Sequence, residues 1–289
     1  MTMNSVVLSL VAALGYGLSD FVGGLAARKA PVLRVVLVTY PLGLAGLLLV
    51  APMAGGGLHG QGMLPAVASG IANGLAVMWF YAALATGPMN VVSPLTALLV
   101  AGIPLVFGLV TGERLGPVTI GGALLAVVAV VLVSREERSA VDEGDPVKFT
   151  TKVAWLTVGS GLAFGAYFVL LDKIDPGSGL WGLVVSRGAA SLLVLLFAVV
   201  TGQSHLPGRP ALMLAASAGV LDTVSGTSFL YALRSGLLSI ASVLTALYPA
   251  ITVLMARLVL GERTGRAQRV GLALAAVSVT LITGGSSAA

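Results

Sequence analysis

Three ionisable side chains stand well inside long apolar runs: Asp20, Arg187 and Asp222. A charge at the centre of a bilayer costs about 2.5–3.5 kcal/mol on insertion scales, so such groups face a bundle interior or a water-filled cavity and mark paths for ions or cargo. Two arrangements are open. Arg187 pairs with Asp20 or with Asp222, and that pair holds helices together without touching cargo. The carboxylate left over is then the candidate for taking up a proton or a substrate amine.

Asp222 has Ser225 and Phe229 three and seven residues on, which places charge, hydroxyl and ring on one helical face. Carrying this pattern back by the 150-residue shift that pairs Tyr81 with Tyr231 sets Trp79 opposite Phe229, with Ala72 at the Asp222 position. Two such rings could sandwich a planar or apolar cargo, and Trp79, Phe229 and Asp222 form the expected contact set. The competing reading is that aromatic residues on a membrane helix are packing elements or interfacial anchors. Nearer the N-terminus, Tyr16 and Asp20 stand four residues apart, and Phe164 and Phe168 answer them under a shift of 148, as Gly165 answers Gly17. Tyr167, Asn73 and Tyr248 complete the candidates, since a phenol or amide in lipid needs a partner. The expected substrate-binding or coupling set is therefore Tyr16, Asp20, Asn73, Trp79, Phe164, Tyr167, Arg187, Asp222, Ser225, Phe229 and Tyr248. On this pattern Asp222→Asn is expected to abolish pH-dependent flux and leave folding intact.

Other chemistries find no support. The two histidines, His59 and His205, lie in loop segments, and there is no cysteine. No zinc cluster or nucleophile–base pair can be built inside the apolar runs from these residues, and nothing calls for a cofactor. A phosphate-binding G-x-x-x-x-G-K-[ST] segment is also missing, so direct use of ATP is not expected. Despite a net charge of +5, the Lys and Arg residues form no stripe suited to nucleic acid. An enzyme is not expected.

The elements that must carry these residues are membrane helices. Hydrophobic residues make up 57% of the chain and charged residues 9%, against about 25% charged in globular domains; the mean hydropathy is +1.02. Ten apolar stretches of about 20 residues can each cross the ~30 Å hydrocarbon layer. They are placed near 5–26, 32–51, 63–86, 90–111, 117–134, 152–172, 179–201, 211–233, 237–260 and 267–284. The first has no basic flank, and its apolar run exceeds that of a cleavable signal peptide. Continuous runs, rather than alternation over ~10 residues, exclude a barrel.

Residues 81–134 and 231–284 are one segment written twice. From Gly87 to Gly116, with a shift of 149, 14 of 30 positions are identical, among them Ser93 with Ser242, Thr96 with Thr245, and Gly112-Glu113-Arg114 with Gly261-Glu262-Arg263. The domain reading is a first five-helix repeat over 1–134, a polar linker over 135–151 and a second repeat over 152–289. An odd number of helices per repeat makes the second enter the membrane from the opposite side. Inverted repeats place a substrate site near the midplane at their interface, with rocking of the halves alternating access.

With its two five-helix halves, a Gly-Glu-Arg at the end of each fourth helix and a Gly-rich fifth helix after it, the chain resembles the drug/metabolite transporter superfamily and, within it, the EamA-type ten-helix carriers. The resemblance implies a secondary transporter in the cell membrane, multi-pass, moving a small metabolite by proton coupling or by exchange and favouring export. An amino-acid-like cargo is the first expectation, a cationic drug-like compound the second and a scaffold without transport the third. Of the 16 Lys and Arg residues, 11 fall in odd-numbered loops. The positive-inside rule then puts those loops in the cytoplasm, whereas the resemblance implies cytoplasmic termini, and both orientations stay open.

The duplicated Ser-x-x-Thr pairs either bond to carbonyls four residues back or serve function, beside Pro94, Pro104 and Pro249, which favour kinks. Glu113, Arg114, Glu262 and Arg263 read as surface caps and turn anchors. Gly70 with Gly74, Gly108 with Gly112, and Gly161 with Gly165 have GxxxG spacing for close helix approach, or for a homodimer contact.

Overall fold

The computed structural model of the chain describes residues 3–57, 60–135, 149–261 and 264–286. Eleven helices follow in order: α1 (Met3–Ala27), α2 (Val32–Val50), α3 (Gly60–Thr86), α4 (Met89–Val110), α5 (Pro117–Val133), α6 (Thr151–Asp172), α7 (Trp181–Val200), α8 (Arg209–Ser235), α9 (Leu238–Thr245), α10 (Tyr248–Leu260) and α11 (Arg266–Ser286). Among the described residues there is no strand. Glu262 and Arg263 lie outside the described residues, as does most of the polar linker.

Among the described residues nine spans have the length and hydropathy to cross a membrane, with Leu238–Leu260 counted as one, and Pro117–Val133 is a shorter apolar helix. At 1.5 Å per residue that helix is about 26 Å long, a little under the hydrocarbon thickness. The ninth span differs from expectation because it is not one helix. Pro249 has no N–H to give to the carbonyl four residues back. The chain tightens there, with Leu247 N–H bonding to Leu244 O at 3.2 Å and Ala250 N–H to Leu247 O at 2.9 Å. The result separates α9 from α10.

Local signals set the other ends. Thr150 caps α6 by accepting from Val153 N–H at 3.3 Å. Pro117 opens α5, where a missing N–H costs nothing. Gly112 and Gly261, the glycines of the duplicated motif, both adopt positive φ, 100° and 69°, and so turn the chain out of α4 and α10 as only glycine does without strain.

The packing repeats the sequence duplication. α1 lies on α8 and its counterpart α6 lies on α3; α6 also meets α4, as α1 meets α9 and α10; α5 pairs with α11, and α2 with α7. Each half thus contacts the other more than itself, and small residues set the approach. A Cβ on Gly165 would fall 2.7 Å from Ile103, and one on Gly17 would fall 2.5 Å from Ile251, the matching contact of the other half. Two of the GxxxG pairs act this way: Gly161 and Gly165 receive α4, and Gly70 and Gly74 receive α7. The third does not. Gly112 lies in the turn beyond α4 with open space around it.

Candidate functional site

A cavity of about 500 Å³ lies between the two halves. Its inner end is formed by Tyr16, Val100, Tyr167 and Phe168, and its outer end by Ala27, Val32, Leu84, Ser134 and Gln268. The outer residues sit at helix ends on the linker side, so the cavity opens on the face opposite the terminal ends of α1 and α11.

Among the described residues two carboxylates line it, Asp20 and Asp222, and no lysine or arginine does. Helix rotation separates their roles. Asp222 forms an ion pair with Arg187, whose side chain is 3% exposed. The guanidinium also stacks over the Tyr40 ring, 4.9 Å from its centroid, and its Nη1 has no hydrogen-bond partner among the described residues. Arg187 is therefore a buried counter-charge behind the wall, not a lining group. Asp20 stands in the last third of α1, is exposed, and faces the cavity. Among the described residues it has no ion-pair partner. One carboxylate is locked in the frame and the other is presented to whatever enters.

Aromatic rings share the cavity wall with the free carboxylate. Tyr16 and Tyr248 meet edge to face at 6.3 Å, and Phe80 contacts Tyr81 at 5.8 Å and Phe164 at 6.4 Å. All five line the cavity, with Tyr40 and Tyr167. The Tyr40 hydroxyl donates to Asn73 Oδ1 at 3.2 Å, which fixes the ring that carries Arg187 and gives the amide its partner. A carboxylate among ring faces suits a cation, because the negative π faces and the anion attract the same charge.

Of the expected set, Tyr16, Asp20, Asn73, Phe164, Tyr167, Asp222 and Tyr248 come together around this cavity. Four do not line it. Arg187 is buried behind Asp222. Phe229 is 0% exposed and packs on Phe168 at 4.4 Å, in the core. Ser225 is buried and spends its hydroxyl on Leu221 O at 2.6 Å, against Gly15. Trp79 is 36% exposed on the outside of α3, beside Gly159 of α6. No sandwich of Trp79 and Phe229 exists, because α3 packs on α6 and α7 while α8 packs on α1 and α2.

Residues outside the expected set also line the cavity: Thr39 and Tyr40 of α2, Phe80 and Tyr81 of α3, Thr252 of α10 and Gln268 of α11. A tyrosine inside an otherwise apolar run, as at Tyr40, was the available signal. Ser93 and Thr96 line the cavity as well, whereas their counterparts Ser242 and Thr245 are fully buried in α9. Back-bonding is not what occupies three of them: Thr96 and Ser242 have no hydrogen-bond partner among the described residues, and Thr245 Oγ1 donates to Ser9 O at 3.4 Å.

The sequence matches the EamA-like transporter family twice, over residues 3–135 and 151–284. No curated protein matches it. A protein known from its crystal structure shares the fold, with a TM-score of 0.77 over 98% of this chain and 97% of that one, at 16% sequence identity.

Proposed function

Because the chain belongs to the EamA-like transporter family, a family of multi-pass membrane transporters with small-molecule substrates, we propose that it is a secondary carrier of small organic cations. Access alternates between the two faces as the repeats rock, and protons exchange at Asp20. The observation that carries this reading is Asp20, without an ion-pair partner among the described residues, facing an aromatic-lined cavity with no described lysine or arginine in its wall. An amine or quaternary ammonium with an apolar body finds there a carboxylate and ring faces. An amino acid, the cargo first expected from the resemblance, would bring a carboxylate with no cation to meet it, since Arg187 is held by Asp222. Export is the direction we assign, on the family resemblance alone.

The mechanism follows from competition at one carboxylate. With the cavity open to one face, cargo displaces a proton from Asp20; after the switch, a proton displaces cargo on the other face. The ion pair of Arg187 with Asp222 keeps α7 and α8 in register through the switch. The test is binding of an aryl ammonium compound to the purified protein at two pH values, for the wild type and Asp20→Asn. Binding that weakens at the lower pH and is lost in the variant supports the reading. Equal binding by the variant refutes it.

A further inference from the structure

The face opposite the cavity mouth is closed by a contact between the halves that the carrier reading leaves without a role. α9 begins at Leu238 after Leu237, which supplies no side-chain cap, and all eight of its residues are buried. A buried helix start with unsatisfied N–H groups needs acceptors. They come from the other repeat: the Glu113 carboxylate accepts from Leu238 N–H at 2.7 Å and Ser239 N–H at 3.1 Å, and also from the Ser239 hydroxyl. A carboxylate in this position is favoured by the helix dipole and by charge-assisted bonding.

The duplicated motif builds this reach. Positive φ at Gly112 ends α4, Glu113 N–H bonds back to Gly108 O at 2.9 Å, and the side chain folds across to α9. Gly108 keeps the space clear: a Cβ there would fall 2.8 Å from the Glu113 carboxyl carbon and 3.1 Å from Ser239 Cβ. The sequence reading of Glu113 as a surface turn anchor is corrected here, since it is partly buried and ties one repeat to the other.

We infer that Glu113 is the latch of the closed face: its bonds to the start of α9 hold this face shut while the cavity is open on the linker side, and they must break for access to alternate. This rests on the alternating-access reading but not on the cargo or on Asp20.

The chain has no cysteine, so single reporters are clean. Ser242→Cys is near-isosteric, fully buried in α9, and replaces a hydroxyl without a hydrogen-bond partner among the described residues. Gly24→Cys sits at the mouth with nothing within 4 Å. Modification by a small hydrophilic maleimide is followed for each reporter in detergent, without cargo. In the Glu113→Ala background the Ser242→Cys rate is expected to rise about tenfold, a population shift worth ~1.4 kcal/mol, while the Gly24→Cys rate falls. Gly108→Ala, which displaces the carboxylate and keeps its charge, is expected to act in the same direction. Rates that both rise mean loosening of the fold, and an unchanged Ser242→Cys rate means a static contact; either result overturns the latch. The labelling is read without cargo and depends on no group at Asp20, so failure of the latch is distinguishable from failure of the cargo reading.

Discussion

Asp222→Leu should destabilise the protein severely, while Asp20→Asn should leave its stability unchanged. The difference comes from what each carboxylate faces. Arg187 is 3% exposed and ion-paired to Asp222. Once Asp222 is removed, its guanidinium keeps its stacking over the Tyr40 ring, a cation–π contact worth about 0.5–2 kcal/mol. Stranding a buried charge by deleting its partner costs about 3–5 kcal/mol, a large part of the 5–15 kcal/mol typical of a folded protein. Asp222→Asn keeps one oxygen acceptor and should fall at the lower end. The double change Arg187→Met with Asp222→Leu removes both charges and should recover most of the loss, since an apolar pair of similar volume is often neutral or stabilising. The assay is thermal unfolding in detergent followed by the monodisperse fraction. A single Asp222→Leu variant that melts with the wild type would refute the argument, and so would a double variant no better than the single one. This departs from the expectation drawn from the sequence pattern, in which Asp222→Asn silences pH-dependent flux and folding survives.

Phe229→Ala should cost about 3–5 kcal/mol by opening a core cavity, without altering the order in which cargo compounds bind, as melting and ligand-shift curves will show. Trp79→Ala should leave cargo binding at the wild-type level, because the ring lies outside the cavity; a loss of binding on titration would restore it to the contact set. Gly17→Ala drives a methyl onto Ile251 and the Tyr248 carbonyl, 2.5 and 2.6 Å from the ideal Cβ, and should cost about 1–3 kcal/mol by overpacking, read as a lower melting temperature. Tyr40→Phe removes the bond to Asn73, worth about 1 kcal/mol, and should weaken stability modestly while keeping the ring that carries Arg187.

Much of the architecture was legible in the sequence, because lipid demands long apolar helices and because the second half repeats the first. The Gly-Glu-Arg copies mark helix ends in both halves, and Gly112 and Gly261 share the same positive-φ turn. The apolar runs also brought out the three ionisable groups within them, but left Arg187 with two possible partners, since the choice depends on how α1, α7 and α8 are rotated against one another. The pairing of Trp79 with Phe229 failed for a related reason. A repeat shift aligns positions in the sequence, whereas facing in space is set by packing, and α3 and α8 turn towards different neighbours. Tyr40 escaped notice because a single phenol in an apolar run reads as packing until its hydroxyl and ring are seen to hold Asn73 and Arg187. Glu113 escaped because a helix-end carboxylate usually faces water, and only the fold brings the uncapped start of α9 to it.

The central claim is that a free carboxylate among rings selects a cation. The most direct measurement is the thermal shift of the wild type and of Asp20→Asn with one aromatic scaffold presented in three forms, as an ammonium, a zwitterionic amino acid and a carboxylate, since a ligand bound only by the folded state raises stability by mass action. Stabilisation is expected from the ammonium form alone and is lost in Asp20→Asn. Stabilisation by the zwitterion or the carboxylate, or by the ammonium form equally in the variant, would contradict the claim.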